Sequence, residues 1–220
     1  MAEGFWRQAS RVFDERAAEY DQWFEGSALF EAELAAIRQL ATPLAAPRLE
    51  VGVGPGRFAQ ALGVEYGVDP ALAPLRLARQ RGVRGCRAAG EALPFASASM
   101  GTVLLLFTLC FLENPQAVLA ECRRVLRPGG RLVVGHIVAQ SPWGAMLARK
   151  KAEGHPFYQH ARFYAPAQVI SWLAASGLTV VEQRSGLLHG PDQAPTMASL
   201  AGEVAGAGLA LLVAEAAGLT

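Results

Sequence analysis

The residues of this 220-residue chain best suited to chemistry begin in Leu49-Glu50-Val51-Gly52-Val53-Gly54-Pro55-Gly56-Arg57-Phe58. Three glycines alternate between an apolar run that reads as the end of a buried strand and Phe58-Ala59-Gln60-Ala61-Leu62, which can start a helix. A glycine turn at that junction tolerates φ > 0 and, lacking Cβ atoms, lets a ligand lie against backbone at a helix start. The dinucleotide fingerprint G-x-G-x-x-G needs its third glycine where this chain has Arg57, so the spacing argues against a nicotinamide cofactor. Further on, Asp69-Pro70 closes a second short strand. A carboxylate at that edge of an open α/β sheet can accept both hydrogens of a ribose diol, such as adenosine carries. Asp69 is also placed to cap the helix expected over Ala71–Arg81.

Acid/base and stacking groups concentrate in residues 136–165: His136, His155 and His160, with Trp143, Phe157, Tyr158 and Tyr164. His136 and His160 are the candidates for a general base, a role needed only if an acceptor must lose a proton. Their spacing fits no metal motif, and no metal is expected. Cys86, Cys110 and Cys122 form no C-x-x-C pair and read as core thiols in a reducing cytoplasm.

The elements that position these groups follow from composition and periodicity. With 52% hydrophobic and 18% charged residues, the chain is expected to fold as one domain around a well-buried sheet. A formal net charge of +1 leaves no footprint for nucleic acid. Arg76, Arg79, Arg81, Arg84 and Arg87 read as a solvated face rather than a phosphate site. The N-terminus has no signal-like apolar core, and Val103 to Leu112 falls far short of the ~20 residues of a membrane helix. A cytoplasmic protein without membrane association is the expectation.

Residues 1–42 read as helical with a break at Gly26-Ser27. Thr102–Phe107 is apolar on both faces, as a central parallel strand requires. Asn114-Pro115 supplies an N-cap and first-turn proline for a helix whose Val118, Leu119, Cys122, Val125 and Leu126 share one face. Arg131–Gly135 reads as the next strand and Pro166–Ser176 as a helix closed by Gly177. Leu178–Glu182 and Leu209–Val213 read as strands, and residues 186–208 as a loop.

Several blocks carry a resemblance. Glu50-x-Gly52-x-Gly54-x-Gly56 resembles the first motif of class I S-adenosylmethionine-dependent methyltransferases, in which the turn meets the methionine and ribose of the cofactor. Ala17-Ala18-Glu19-Tyr20-Asp21-x-Trp23-Phe24 is similar to the segment that small-molecule members place over the cofactor. Glu91-Ala92-Leu93-Pro94-Phe95 and Arg124-Val125-Leu126-Arg127-Pro128-Gly129-Gly130-Arg131-Leu132-Val133 resemble the methyltransferase-11-like subgroup. The likeness covers roughly residues 13 to 215 in the family's order. It implies a Rossmann-like, doubly wound, mostly parallel sheet of seven strands in the order 3-2-1-4-5-7-6, the last two pairing antiparallel. N-terminal cap helices (1–42), a cofactor half (43–135) and an acceptor half (136–220) are expected within the one domain.

The same resemblance implies S-adenosylmethionine as cofactor, S-adenosylhomocysteine as product and a small molecule as methyl acceptor. It assigns cofactor contacts to Tyr20, Glu50, Gly52, Gly54, Gly56, Asp69, Pro70, Glu91, the backbone of Ala92 and Phe107. Arg57 is assigned to the cofactor carboxylate. Two departures stand out: Ala89 and Gly101 occupy positions where the subgroup has Asp. The N/D-P-P-Y tetrad of nucleobase amine methylation is missing. A non-catalytic member that senses the cofactor or binds a partner is the alternative. Oligomeric state is not legible.

Overall fold

The computed structural model describes residues 5–216, with side chains from residue 10 onward; the first four residues of the expected helical cap lie outside it. Three helices form the cap: α1 (Phe5–Glu15), α2 (Ala17–Gln22) and α3 (Ala28–Arg38). The break falls at Gly26-Ser27. Gly26 takes φ +62°, and Ser27 Oγ accepts from Phe30 N at 3.2 Å, capping α3.

The strand–helix alternation then begins with β1 (Arg48–Val51), α4 (Arg57–Leu62), β2 (Tyr66–Asp69), α5 (Leu72–Gln80), β3 (Arg84–Arg87) and β4 (Met100–Leu106). It continues with α6 (Pro115–Val125), β5 (Leu126–Ile137), α7 (Pro142–Ala152), α8 (Pro166–Ala175), β6 (Leu178–Gly186), β7 (Leu200–Ala201) and β8 (Leu209–Ala216). Asn114 caps α6 as its side chain implied, accepting from Ala117 N at 3.1 Å.

One sheet holds all the strands in the order β3-β2-β1-β4-β5-β8-β6-β7. The first five run parallel, β8 is antiparallel to β5, and β6 is antiparallel to β8. This is the expected mostly parallel, doubly wound architecture with one correction: eight strands replace seven. The extra strand, β7, lies inside the expected 186–208 loop and pairs Leu200 and Ala201 with Ser185 and Arg184 of β6. Polar side chains hold it there. Arg184 donates to Ser199 Oγ at 3.1 Å, Ser185 Oγ donates to Gly202 O at 2.9 Å, and Gln39 Nε2 donates to Met197 O at 2.8 Å. Such matches leave no hydrophobic period to read.

β4 is buried on both faces. Val103 and Leu105 pack into the layer with α6 and α8, while Leu104 and Leu106 pack on the other side with Phe58, Leu75 and Ile37. Alternate side chains of one strand thus serve both layers. The layers hold the carboxyl ends of β1, β2, β4 and β5 at one edge, beneath the cap helices.

Candidate functional site

The turn after β1 is built by glycines with three different duties. Gly52 (φ +75°) approaches Thr108 so closely that a Cβ would lie 2.3 Å from Thr108 Oγ1. Gly56 (φ +80°) admits α5, where a Cβ would stand 2.9 Å from Ala78 Cα. A Cβ on Gly54 (φ +50°) would have Tyr20 Cε1 at 3.6 Å, an ordinary contact, as its nearest neighbour. Of the three glycines, Gly54 is the least crowded by protein.

The N–H groups of the turn are already used. Gly52 N and Val53 N both donate to Val68 O, at 2.8 and 3.0 Å, and Gly56 N donates to Val53 O at 2.9 Å. Gly54 N donates to Asp69 Oδ2 at 2.9 Å. Pro55 has no N–H, so the turn presents no free donor to a pyrophosphate. This is the physical counterpart of the spacing that excluded a dinucleotide fingerprint.

Asp69, at the end of β2, uses its carboxylate within the protein. Its Oδ1 accepts from Ala71 N at 2.8 Å, bracing the entrance to α5, while Oδ2 braces Gly54. Burial pushes its carboxyl up to about 6, against the opposing pull of those two N–H groups. Glu50, 2% exposed, has an Oε2 atom with no hydrogen-bond partner. Burial, then the nearby charge of Asp69, raises its carboxyl well above the usual range. A buried acceptor left open at a cavity wall is complementary to a cationic or donating ligand group.

Two cavities meet at this edge. The smaller, about 110 Å³, is lined by Asp69, Pro70, Ala89, Gly90 and Glu91 beside the turn. The larger, about 450 Å³, runs from Glu50 and the turn under the cap to His136, Trp143 and Tyr158. Phe13, Tyr20, Gly52, Gly54, Phe107 and Phe111 contribute to both walls. Aromatic contacts make the roof: Phe13 and Tyr20 have ring centroids 4.9 Å apart, Tyr20 and Phe157 5.6 Å, and Trp23 and Phe157 4.8 Å. Burial, with lesser repulsion from Tyr158, Cys110, Asp69 and Glu33, raises the Tyr20 hydroxyl far above its ordinary value, so it is a neutral donor. Phe107, just past β4, adopts φ +55° and packs on Phe58 at 5.4 Å. A non-glycine residue in the left-handed region at a cavity wall is the kind of strain that clusters at functional sites.

The structure gathers Tyr20, Glu50, Gly52, Gly54, Asp69, Pro70, Glu91 and Phe107 around these cavities. Four expected residues stand differently. Gly56 lines neither cavity and packs against Ala78 instead. Arg57 lines the larger cavity, but its Nε and Nη2 donate to Asp21 at 2.7 and 2.8 Å and Nη2 to Glu25 at 3.0 Å. With Asp21 also accepting from Arg81 Nη2 at 2.7 Å, Arg57 clamps α2 to the turn instead of standing free for a carboxylate. Ala92 is off the cavity wall, its N–H donating to Ala89 O at 3.2 Å. His160 lines neither cavity, whereas His136 does. Of the arginine stretch, Arg79, Arg81, Arg84 and Arg87 bond within the protein, to Gly85 O, Pro55 O, Tyr66 Oη and Pro70 O.

His136 is 4% exposed and burial lowers it to about 4, so it is neutral. Its Nδ1 meets Ile137 O at 3.3 Å. A carbonyl only accepts, so Nδ1 carries the proton and Nε2, which has no partner, keeps its lone pair. Glu33 of α3 was missed in the sequence. It is 8% exposed, lines the larger cavity, and burial pushes its carboxyl up to about 8. The signal was available: Glu33 interrupts the apolar helical face of Phe30, Leu34 and Ile37. Cys110 also lines the cavity, its thiol pushed up to about 12 by burial and therefore protonated. Among the described residues no three His, Cys, Asp or Glu side chains are grouped to hold a metal, and no helix is long and apolar enough to cross a membrane.

The residues present fit S-adenosylmethionine: Glu50 has a buried oxygen without a partner, Gly54 has only Tyr20 beside it, and the Asp69 carboxylate stands at the carboxyl end of β2. Residues 49–134 match the family described as the methyltransferase domain. A relative in Mycobacterium tuberculosis, an uncharacterized protein, is 44% identical over 189 residues, which are 84% of this chain and 66% of that protein. An uncharacterized protein of Methanocaldococcus jannaschii is 36% identical over 167 residues, 76% of this chain and 80% of its own length. Among solved structures, a SAM-dependent methyltransferase of Thermotoga maritima superposes with a TM-score of 0.87 at 27% identity, covering 94% of this chain and 99% of that one. Fold, turn chemistry and relatives agree: the chain belongs to the class I S-adenosylmethionine-dependent methyltransferases.

Proposed function

We propose that this chain methylates a small molecule held in the larger cavity. The observation that carries the reading is the wall that the two cavities share at the glycine turn, Tyr20 and Phe107. A compartment of about 110 Å³ beside Asp69 would take part of the nucleoside, and one of about 450 Å³ reaches from the glycine turn to aromatic rings. That size is within the range of small-molecule sites, roughly 300–1,000 Å³. The Thermotoga maritima neighbour is described as a possible histamine N-methyltransferase, also a small-molecule activity.

Bound S-adenosylmethionine supplies an already activated methyl group on its sulfonium. The chain's own residues then have three tasks. Asp69 and Pro70 would hold the ribose side, Glu91 would flank the base, and the open oxygen of Glu50 would accept from the ammonium. Tyr20 and Phe107 cover the junction of the cavities and exclude water. Orientation of an acceptor against such a junction can lower a barrier by up to ~7–11 kcal/mol without any charged catalyst. His136 Nε2 is the one neutral nitrogen base on the chamber wall and would take a proton from an acceptor that has to lose one.

Calorimetric titration of the purified protein with S-adenosylhomocysteine and, separately, NADH tests the cofactor half. Micromolar binding of the first and none of the second is expected. The reverse pattern, or binding of neither, would remove the proposal.

A further inference from the structure

Resting on the methyl-transfer reading, we propose that the acceptor is a phenol, methylated on its oxygen, and that His136 Nε2 takes the hydroxyl proton. Strand order separates the two ends of the site. Across its carboxyl edge the sheet runs β2-β1-β4-β5, so Asp69, Glu50, Phe107 and His136 follow one another in that order. Close contacts fix the spacing. Thr108 Oγ1 donates to Gly52 O at 3.3 Å, and Phe107 N donates to Gly135 O at 2.8 Å. His136 therefore stands two strands, about 10 Å, across the edge from the glycine turn. A cofactor laid over Asp69 and the turn would end against Phe107, and His136 would meet what lies beyond it.

His136 is buried on the wall of the larger cavity, with Nδ1 against Ile137 O and Nε2 unpartnered. A buried lone pair of this kind is complementary to a ligand that brings a donor. Phe111, Trp143, Tyr158 and Tyr164 line the same cavity and favour a flat ring. Besides the committed Arg57, its charged residues are of both signs, Glu33 and Glu50 against Lys150 and Arg162, so the wall suits a neutral body. Among neutral nucleophiles a hydroxyl gains most from a base. An amine already carries the lone pair that attacks, and a thiol ionises unaided at about pH 8.5, whereas a phenol holds its proton to about pH 10. In the step, a lone pair of the phenol oxygen forms the bond to the methyl carbon as the carbon–sulfur bond breaks. The electron pair of that bond goes to sulfur, leaving neutral S-adenosylhomocysteine. The O–H proton moves to His136 Nε2 and passes to water when the product leaves.

Calorimetry in saturating S-adenosylhomocysteine, and methyl transfer from S-adenosylmethionine, test this with para-cresol, para-toluidine and para-xylene, which differ in one group. The cresol is expected to bind about tenfold tighter than the xylene, the scale of one hydrogen bond, and to be the one methylated. In His136→Phe, which keeps a ring but no nitrogen, that binding preference should fall to near unity. Turnover of the cresol should drop by about a hundredfold or more, the usual contribution of a general base. Para-nitrophenol, ionised in mildly alkaline buffer, has no proton to give up and should lose less than about tenfold. His136→Gln provides a second variant and should repeat this split, with S-adenosylhomocysteine affinity at the wild-type value in both. Methylation of the toluidine in preference to the cresol, no methylation of either phenol, or equal binding of cresol and xylene by the wild type would overturn the assignment. So would equal losses for the two phenols in variants that still bind S-adenosylhomocysteine. Failure of wild-type protein to bind S-adenosylhomocysteine, seen before any acceptor is added, would sink the methyl-transfer reading itself.

Discussion

At the scale of single residues, the three glycines of the turn make separable predictions. Gly54→Ala adds a methyl that the protein can house but the ligand space cannot, since its nearest neighbour is 3.6 Å away. The variant should stay folded and lose S-adenosylhomocysteine binding by about tenfold or more, beyond a backbone cost of ~1 kcal/mol. Gly56→Ala presses on the Ala78 backbone at 2.9 Å and should instead lower the melting temperature. Equal effects of the two on stability would refute the division. Glu33 predicts a pH dependence. Its carboxyl is raised from 4.5 to about 8 in the folded chain. The unfolded chain releases this proton first, so stability is fully present below pH 4.5 and is lost as pH rises through 8. Thermal unfolding of ligand-free Glu33→Gln should therefore gain on wild type steadily between these limits. A constant difference across the range would show that Glu33 does not hold its proton.

At the scale of elements, α2 is a short helix held over the site by ion pairs rather than by a deep apolar face. Only Ala17 of its residues is buried. Asp21 receives Arg57 and Arg81, which reach it from α4 and from the end of α5. Burial alone would raise the Asp21 carboxyl, but hydrogen bonds from the two guanidinium groups hold it below 3.8. The clamp is thus present above that ordinary value and loosens as pH falls beneath it. Asp21→Ala leaves both arginines without their carboxylate and should free α2, carrying Tyr20 and Trp23 off the site. Limited proteolysis should then cut within residues 16–26, and S-adenosylhomocysteine should dissociate faster. Protection equal to wild type would mean that the aromatic roof alone seats the helix.

At the scale of the whole molecule, β4 joins two hydrophobic layers and places Phe107 at their common edge. Leu104 is fully buried in the layer under the cap. Leu104→Ala should cost about 2–5 kcal/mol in chemical denaturation, as large-to-small core changes do. A loss below ~1 kcal/mol would mean that the layer can collapse around the gap.

The sequence by itself determined the architecture and the glycine turn with Asp69 beside it, because both are written in local patterns. Strand Thr102–Phe107 announced a central position by being apolar on both faces, and β4 spans Met100–Leu106. Gly52, Gly54, Gly56 and Asp69 are neighbours of the strand ends that position them, so chain order alone brought them together. The far wall of the larger cavity was decided by tertiary structure. Glu33 lies in a cap helix and His136 at the far end of β5, and no spacing links residues about a hundred positions apart. Arg57 read as a ligand contact because its partner Asp21, 36 residues earlier, becomes adjacent only when α2 folds over the turn. The short strand β7 was likewise invisible, because it rests on side-chain hydrogen bonds across folded segments rather than on hydrophobic alternation. Periodicity records what one element buries. Which polar groups end up unpaired depends on what the other elements bring to meet them.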